Sequence, residues 1–399
     1  MASVLRILRR RTPRSSFAVR VVSRSLSTTP LLKPRVAVLY QELDPPLING
    51  VRKPKKPGGY KDSGADIAYV LQNKCEVDVA TPSSSPDSSK DEDWCFGDTE
   101  QSILRAVNTG ATHLWANTIL FTNHPLQMSA KLASVAKDIK VVGQPPKLVE
   151  LFDDKCLVNN MLRARSGFTL PGAQDVRDQK MLQEVVNTTM RYPVVAKPVR
   201  GRGSYGVRVC RTPEELIEHC KSLLYEQASV IVEDYLAGQE ATITVMPPSP
   251  MAGQNDYWAM PVVERFNHAD GIAPYNGIVA VTQNSRCVSK REHEEDFNYG
   301  EIQRQCVEVA RLLQCKAPIR VDVRRSENDR SSPFALFDVN MKPNMTGPGR
   351  PGRESQASLT ALAAKGIGWD YPTLLMKILD SSSSLHDLRN VKVPKEGSL

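Results

Sequence analysis

The chain of 399 residues is poor in aromatics, at 6 %, and holds no C-x-x-C pair, no run of about eighteen apolar residues, and no Asp or Glu before Glu42. Without a long apolar run, no segment reads as a membrane-spanning helix, so no membrane partner is expected. Without C-x-x-C or a histidine at ligand spacing, the eight cysteines (Cys75, Cys95, Cys156, Cys210, Cys220, Cys287, Cys306 and Cys315) read as reduced packing residues rather than a zinc site or a disulfide frame. Apolar residues at 41 % and charged residues at 24 % exclude a disordered tail and a fibre, and the length allows two or three compact units.

The missing acids redistribute the net charge of +8. Residues 1–35 carry nine cations, from Arg6 to Arg35, and no acid, which leaves residues 36–399 at about −1. A nucleic-acid binder spreads its cations over a folded face, so no nucleic-acid partner is expected. The leader is instead Arg- and Ser-rich, with Val4, Leu5 and Leu8 among the arginines at helical spacing. That is the composition of a mitochondrial transit peptide and implies a matrix location. Arg24-Ser-Leu-Ser-Thr-Thr29 resembles a fungal matrix-processing site, and maturation is expected between residues 25 and 35.

After the leader, strand signals at Arg35–Tyr40, 76–80, 112–116 and 139–143 alternate with helical patterns at 63–73, 98–109 and 125–137. Alternation of this kind predicts an α/β domain with a parallel sheet over residues 35–145. Residues 146–228 read as an α+β unit: a strand closing at Pro198, a Gly-rich loop, a strand Val207–Cys210, and a helix opened by the capping box Thr212-Pro-Glu-Glu215. Residues 229–380 read as a second such unit. It contains strands at 230–233, 240–246, 257–264, 276–283, 319–324 and 334–340, a helix striped by Ile302, Cys306, Val309, Ala310 and Leu313, and helices at 354–366 and 371–379. Residues 381–399 are expected to be a mobile tail.

Gly201-Arg-Gly203-Ser-Tyr-Gly206 matches G-x-G-x-x-G, but it joins two strands. A dinucleotide-binding loop needs a strand before it and a helix after it. A protein-kinase loop would be followed by H-R-D and D-F-G, and neither occurs. What remains is a lysine, Lys197, ending a strand before a flexible hairpin able to wrap phosphates with backbone N–H groups. Further on, Asp322, Asp338 and Asn340 lie on two successive strands. Asp338 and Asn340, two apart, face the same side, and these three hard oxygen ligands suit one or two Mg²⁺ ions.

The ordered series Asp154-Lys155, Val194-Val-Ala-Lys197-Pro, Gly203-Ser204, Val230-Ile-Val-Glu233-Asp-Tyr-Leu236, Gly238-x-Glu240, Ile319-Arg320-Val-Asp322 and Asp338-x-Asn340 resembles the ATP-grasp superfamily. Within it, the match is to the D-alanine:D-alanine ligase branch of carboxylate-amine ligases, over residues 35–380. The resemblance implies an ATP-grasp fold behind a pre-ATP-grasp parallel-sheet domain. It also implies an ATP- and Mg²⁺-dependent ligase that makes an acyl phosphate and couples it to an amine, with small-molecule carboxylate and amine substrates. It implies that Lys155 and Lys197 reach the α- and β-phosphates, with Gly203 and Ser204 in the loop over the β- and γ-phosphates. The stretch Glu233, Asp234 and Leu236 would meet the adenine edge and Glu240 the ribose hydroxyls. Asp322, Asp338 and Asn340 would hold the metal, and Arg320 would stabilise the oxyanion. The family often dimerises, so a homodimer is one expectation.

The chain also departs from that pattern. The loop after the first strand is Gln41-Glu42-Leu-Asp-Pro-Pro followed by an insertion, and the loop after the third runs Trp115-Ala-Asn117 to His124, so a different carboxylate is expected. No lysine stands between Phe266 and Tyr275, where one is expected over the γ-phosphate, and Lys342 and Lys290 are the candidates to replace it. His268 lies nearby. The contrasting reading is a catalytically silent ATP-binding module; a biotin carboxylase would need a biotin-carrying segment that is not present.

Overall fold

The computed structural model describes residues 33–394 except 49, 54, 188–190, 202–203, 227, 250–252, 269–270 and 273–280. The leader, on which the mitochondrial reading rests, lies outside the described residues, as does Gly203 of the glycine loop. From Pro34 onward the chain forms one compact unit built on three main sheets.

The first sheet follows the alternation in the sequence. Strands β1 (Arg35–Tyr40), β2 (Asp78–Val79), β3 (Cys95–Gly97), β4 (His113–Asn117) and β5 (Lys140–Val142) pair in parallel, with β1 against β2, β3 and β4. The run Val36–Leu39 is wholly buried because helices cover both faces. Ala37 and Leu39 pack with Ile103 of α2 (Glu100–Asn108), while Val36 and Val38 pack with Ile67 and Leu71 of α1 (Lys61–Lys74). The expected helix at 125–137 is broken into Pro125–Met128 and Ala130–Ala133, because Ser129 turns extended and caps the second turn through Leu132 N–H.

Helix α3 (Lys155–Arg163) leads to the second sheet, which is antiparallel in the order β8-β7-β9-β6. Its strands are β6 (Ala173–Val176), β7 (Val194–Pro198), β8 (Arg208–Cys210) and β9 (Val230–Asp234), with helices α4 (Gln179–Asn187) and α5 (Pro213–Glu226) contributing to its core. Here the boundary expected at 228/229 is corrected. Strand β9 pairs on both edges with β6 and β7, so the central unit runs through Asp234.

The third sheet is antiparallel: β10 (Glu240–Met246), β11 (Trp258–Ala259), β12 (Val263–Arg265), β13 (Ser285–Cys287), β14 (Ile319–Arg325) and β15 (Phe334–Asn340), with β10 between β12 and β14. The helix with the Ile302/Cys306/Val309 stripe, α6 (Phe297–Leu312), buries that stripe in the core. The strand expected at 276–283 is not found within the described residues: 281–284 is a helical turn and the strand follows at Ser285. Helix α7 (Leu359–Gly366) starts five residues later than expected, where Ser358 caps Ala361 N–H, and α8 (Tyr371–Leu379) follows.

The tail is the clearest correction. Strand β16 (Ser383–Ser384) adds antiparallel to the edge of the first sheet at β5. Helix α9 (Leu385–Arg389) then buries Leu385 and Leu388, at 1 % and 2 % exposure. A Ser-rich stretch reads as solvated, but two leucines three apart on a short helix suffice to dock it.

Candidate functional site

Strand alternation makes the third sheet a pegboard, with side chains at i, i+2 and i+4 on one face. Register places them in rows. Arg265, Glu240 and Arg324 stand abreast on β12, β10 and β14; Thr242, Asp322 and Asp338 form the next row; Thr244, Arg320 and Asn340 form the third. Between β14 and β15 the register slips after Asp322, so that Phe337 has no partner across the ladder. A bulge of this kind frees a backbone group and re-aims its neighbours. The freed Phe337 carbonyl accepts from Lys197 Nζ at 3.0 Å, which ties the second sheet to the third.

Facing these rows across a cleft of about 950 Å³ are Lys197 and Glu233 of the second sheet, Lys155 at the start of α3, and Ser204. Lys197 and Glu233, adjacent on β7 and β9, form an ion pair in which each residue is 4 % exposed. Burial raises the Glu233 carboxyl above its ordinary pKa and outweighs the opposing pull of the Lys197 ammonium. Its Oε2 has no hydrogen-bond partner among the described residues. Lys155 donates to the Gly201 carbonyl at 3.0 Å and lies 3.3 Å from Asp338 Oδ1, an ion pair without a directed hydrogen bond. Asp154 caps α3 through Leu157 N–H and so fixes where Lys155 begins. Ser204 holds φ +58°, and Gly206, at φ +70°, has no room for a Cβ against Pro198 and Leu223.

Arg320 donates two 2.8 Å bonds to Asp322, whose Oδ1 also accepts from Thr242 at 2.7 Å and whose Oδ2 accepts from Asn340 at 3.1 Å. Burial pushes Asp322 up, yet Arg320, with Arg265 and Thr242, holds it below the usual carboxylate range, so it is an anion at neutral pH. Glu240 is ringed by two arginines and a histidine: Arg265 Nη1 at 3.2 Å, His268 Nε2 at 2.9 Å and Arg324 Nη1 at 3.8 Å.

The described residues among those expected at the site, Lys155, Lys197, Ser204, Glu233, Asp234, Leu236, Glu240, Arg320, Asp322, Asp338 and Asn340, all line this one cleft. Asp234 turns its carboxylate outward to the Gly172 N–H at 3.0 Å, leaving its neighbours to meet a ligand. Neither lysine candidate for the γ-phosphate position is in the cleft wall. Lys290 is exposed and paired with Glu294, and Lys342 Nζ lies 3.5 Å from the centre of the Tyr60 ring. Sequence reasoning missed Arg265, Arg324 and Phe337, which also line the cleft. Arg324 was accessible as the i+2 neighbour of Asp322; Arg265 was not, because its strand carries no motif.

The residues fit a divalent ion through the buried Asp338 Oδ1, which has no hydrogen bond among the described residues, beside the anionic Asp322 and the Asn340 amide. Among the described residues no group of three or more His, Cys, Asp or Glu gathers, so such an ion would complete its shell with ligand oxygens.

Residues 167–380 match the family described as D-ala D-ala ligase C-terminus. A D-alanine–D-alanine ligase of Halalkalibacterium halodurans is 29 % identical over 196 residues, 49 % of this chain and 58 % of that protein. Another, from Paracidovorax citrulli, is 30 % identical over 193 residues, 48 % of this chain and 52 % of that protein. The chain thus spans between half and three-fifths of the length of these relatives. Among solved structures, VanG D-Ala:D-Ser ligase from Enterococcus faecalis superposes with a TM-score of 0.60 at 16 % identity, covering 87 % of this chain and 98 % of that one. D-alanine–D-alanine ligase from Bacillus anthracis complexed with ATP gives 0.58 at 16 %, covering 89 % and 98 %. The fold is therefore that of the ATP-grasp ligases.

Proposed function

The chain belongs to the D-ala D-ala ligase C-terminal family, and on that premise we propose that it is an ATP- and Mg²⁺-dependent ligase activating a small carboxylate as an acyl phosphate and coupling it to an amine. The observation that carries this reading is the convergence of three cations, Lys155, Lys197 and Arg320, with the acids Asp322 and Asp338 in one cleft between two sheets. A triphosphate needs cations, and its magnesium needs carboxylates; a cleft with both signs at once suits the pair.

In this reading Lys155 and Lys197 hold the phosphates, and the 201–206 loop covers them. Glu233 offers its unbonded Oε2 to the exocyclic amine of a purine, and Glu240 meets a ribose diol. Mg²⁺, held by Asp322, Asp338 and Asn340, would neutralise the charge on the β- and γ-phosphates. Arg265, buried in the cleft and paired with Glu240 at 3.2 Å, is the cation over the transferred phosphoryl group in this reading. Transfer forms the bond from carboxylate oxygen to γ-phosphorus and breaks that to the β-phosphate bridging oxygen, releasing ADP. The amine then attacks the acyl carbon, Arg320 stabilises the oxyanion, and phosphate leaves. The cleft described here is built from one chain, so a homodimer is not required for this chemistry. The Arg-rich, acid-free leader supports a mitochondrial matrix address, which import of a reporter fused to residues 1–40 would test.

The deciding experiment is ADP and phosphate release over a panel of carboxylates and amines, with Asp322→Asn as control. Release that depends on both substrates and falls at least about 100-fold in Asp322→Asn is expected. Tight Mg-ATP binding with no release from any pair would instead identify a silent nucleotide-binding module.

A further inference from the structure

A second cavity, of about 470 Å³, opens beside the third row of the pegboard, where β14 begins and β15 ends. Met341, the residue after Asn340, and Pro318, two residues before Arg320, stand in its wall. The trans peptide puts the Met341 Cα about 3.8 Å from that of Asn340, and two residues of chain allow Pro318 to lie at most about 7 Å from Arg320. Trp115 and Leu120, in and just after β4, and Val142, which ends β5, also form the wall. The carboxyl ends of parallel strands are where α/β sheets bind ligands.

The wall presents apolar surface. Among its described residues there is no Asp or Glu, and Lys342 alone carries a charge. The Lys342 Nζ is buried against the Tyr60 ring, 3.5 Å from its centre, so the cavity meets the methylene stem rather than the ammonium. The polar side chains are engaged with the surrounding chain. Asn117 donates to the Tyr60 carbonyl and the Ser63 hydroxyl, Thr118 donates to Asp98, and Gln144 accepts from the Lys316 N–H while donating to the Ala317 carbonyl.

Apolar gaps tend to close, because lining atoms without neighbours forfeit dispersion contacts. Here the wall segments are fastened individually. The loop after Asn340 is held by the Tyr371 hydroxyl of α8, which donates to the Met345 carbonyl at 2.7 Å, and Gly347 has no room for a Cβ against the Tyr371 ring. Further along, Arg350, itself 2 % exposed, donates to the wholly buried Asp66 at 2.9 Å and so ties the loop to α1. The two bonds of Gln144 fix residues 316–317 beside the end of β5. A cavity kept open in this way, next to the reacting edge, is shaped for a ligand group.

We infer that the carboxylate substrate carries a short, uncharged alkyl chain, its carboxylate reacting at the Arg320 edge and its chain filling this cavity. The oxyanion that Arg320 stabilises forms on the acyl carbon, so the group attached to that carbon is the one brought beside Arg320. An ammonium in the cavity would be buried with no acid among the described lining residues to receive it, which argues against the amine substrate as the occupant. A polar chain fares little better, because the wall's amides and hydroxyl are already bonded to the protein. The inference rests on the ligase reading above and names its substrate class, a carboxylate with an aliphatic chain.

Calorimetry on the full chain with Mg²⁺ and a non-hydrolysable ATP analogue tests it with three acids: 4-methylpentanoate; succinamate, which replaces the terminal isopropyl group by a carboxamide of the same shape; and acetate, which lacks the chain. Each buried methylene strengthens binding about fourfold, so 4-methylpentanoate is expected to bind at least about 30-fold more tightly than acetate. It should exceed succinamate at least about 10-fold, since the amide finds no free partner. Ala116→Leu, which fills the cavity, should weaken 4-methylpentanoate at least about 10-fold and leave acetate and the analogue unchanged. Val142→Ala, which enlarges it, should improve 5-methylhexanoate about fourfold relative to 4-methylpentanoate, a gain that a general loss of structure would not give. Undetectable 4-methylpentanoate, binding no tighter than that of acetate or succinamate, or affinities indifferent to both substitutions overturn the inference and leave the ligase reading standing. Failure of the analogue to bind removes the ligase reading, while a 4-methylpentanoate preference that Ala116→Leu abolishes still establishes the apolar site.

Discussion

Replacing Glu233 by Gln tests how the cleft balances buried charge. Lys197 and Glu233 are each 4 % exposed, and among the described residues the ammonium has one other acceptor, the Phe337 carbonyl at 3.0 Å. Glu233→Gln therefore leaves a buried cation without its counter-charge, at a cost of about 3–5 kcal/mol. Lys197→Met should cost a similar amount by orphaning the carboxylate. The double variant Lys197→Met/Glu233→Leu removes both charges and strands only the Phe337 carbonyl, so its cost should be about 1 kcal/mol. For a body of this size, 3–5 kcal/mol lowers the thermal midpoint by about 4–6 °C. The pH dependence carries a second sign. The folded pKa of Glu233 lies above the ordinary 4.5, so its contribution is fully present below that value and is lost as pH rises through the raised one. Glu233→Gln should abolish that slope. Calorimetric melts of the four proteins between pH 4 and 8 measure both effects. Single variants that cost under about 1 kcal/mol each, with an additive double, would refute the claim that burial dominates this pair.

Arg265→Met should weaken ATP at least about 10-fold while changing ADP affinity much less, since the expected contact is to the terminal phosphate; equal losses for both nucleotides would place Arg265 in support of Glu240 alone. Leu388→Ala should cost about 2–5 kcal/mol in denaturant unfolding, because that side chain is 2 % exposed under the first sheet; a cost below about 0.5 kcal/mol would return the segment to the status of a tail. Burial pushes Asp98 up, but His124, Thr118 and the Leu43 N–H hold it below the ordinary 3.8. Its stabilisation is therefore present above 3.8 and lost as pH falls through the lowered value. Asp98→Asn should cost about 1–3 kcal/mol at pH 7, and the gap to the parent protein should narrow on acidification in paired melts.

Elements with a strong local cause were legible. Val36–Leu39 is a buried parallel strand because four apolar residues in a row have no other solution, and α6 follows its 3.6-residue stripe. Thr212 receives Glu215 N–H as a helix cap should, although the Glu215 carboxylate reaches back to Arg211 N–H, one residue further than the usual capping box. What failed had a non-local cause. Strand β9 belongs to the central sheet through its pairing with β6 and β7, and the Ser-rich end of the chain is ordered by an open edge at β5 and an apolar surface beneath it. Neither partner lies near in sequence.

The site divides along the same line. The resemblance of short ordered motifs to the ATP-grasp ligases pointed to Lys155, Lys197, Glu233, Glu240, Arg320, Asp322, Asp338 and Asn340, and all eight line one cleft. Register between strands decided the rest. Arg265 became a cleft residue by standing opposite Glu240, and Phe337 gained its role from a one-residue bulge. Lys342 was assigned to a second cavity because Tyr60, far away in the chain, supplies the surface on which it rests. A sequence determines which charges are available and how far apart they lie along the backbone; which of them meet, and at what depth from water, depends on strand pairing that only the folded chain establishes.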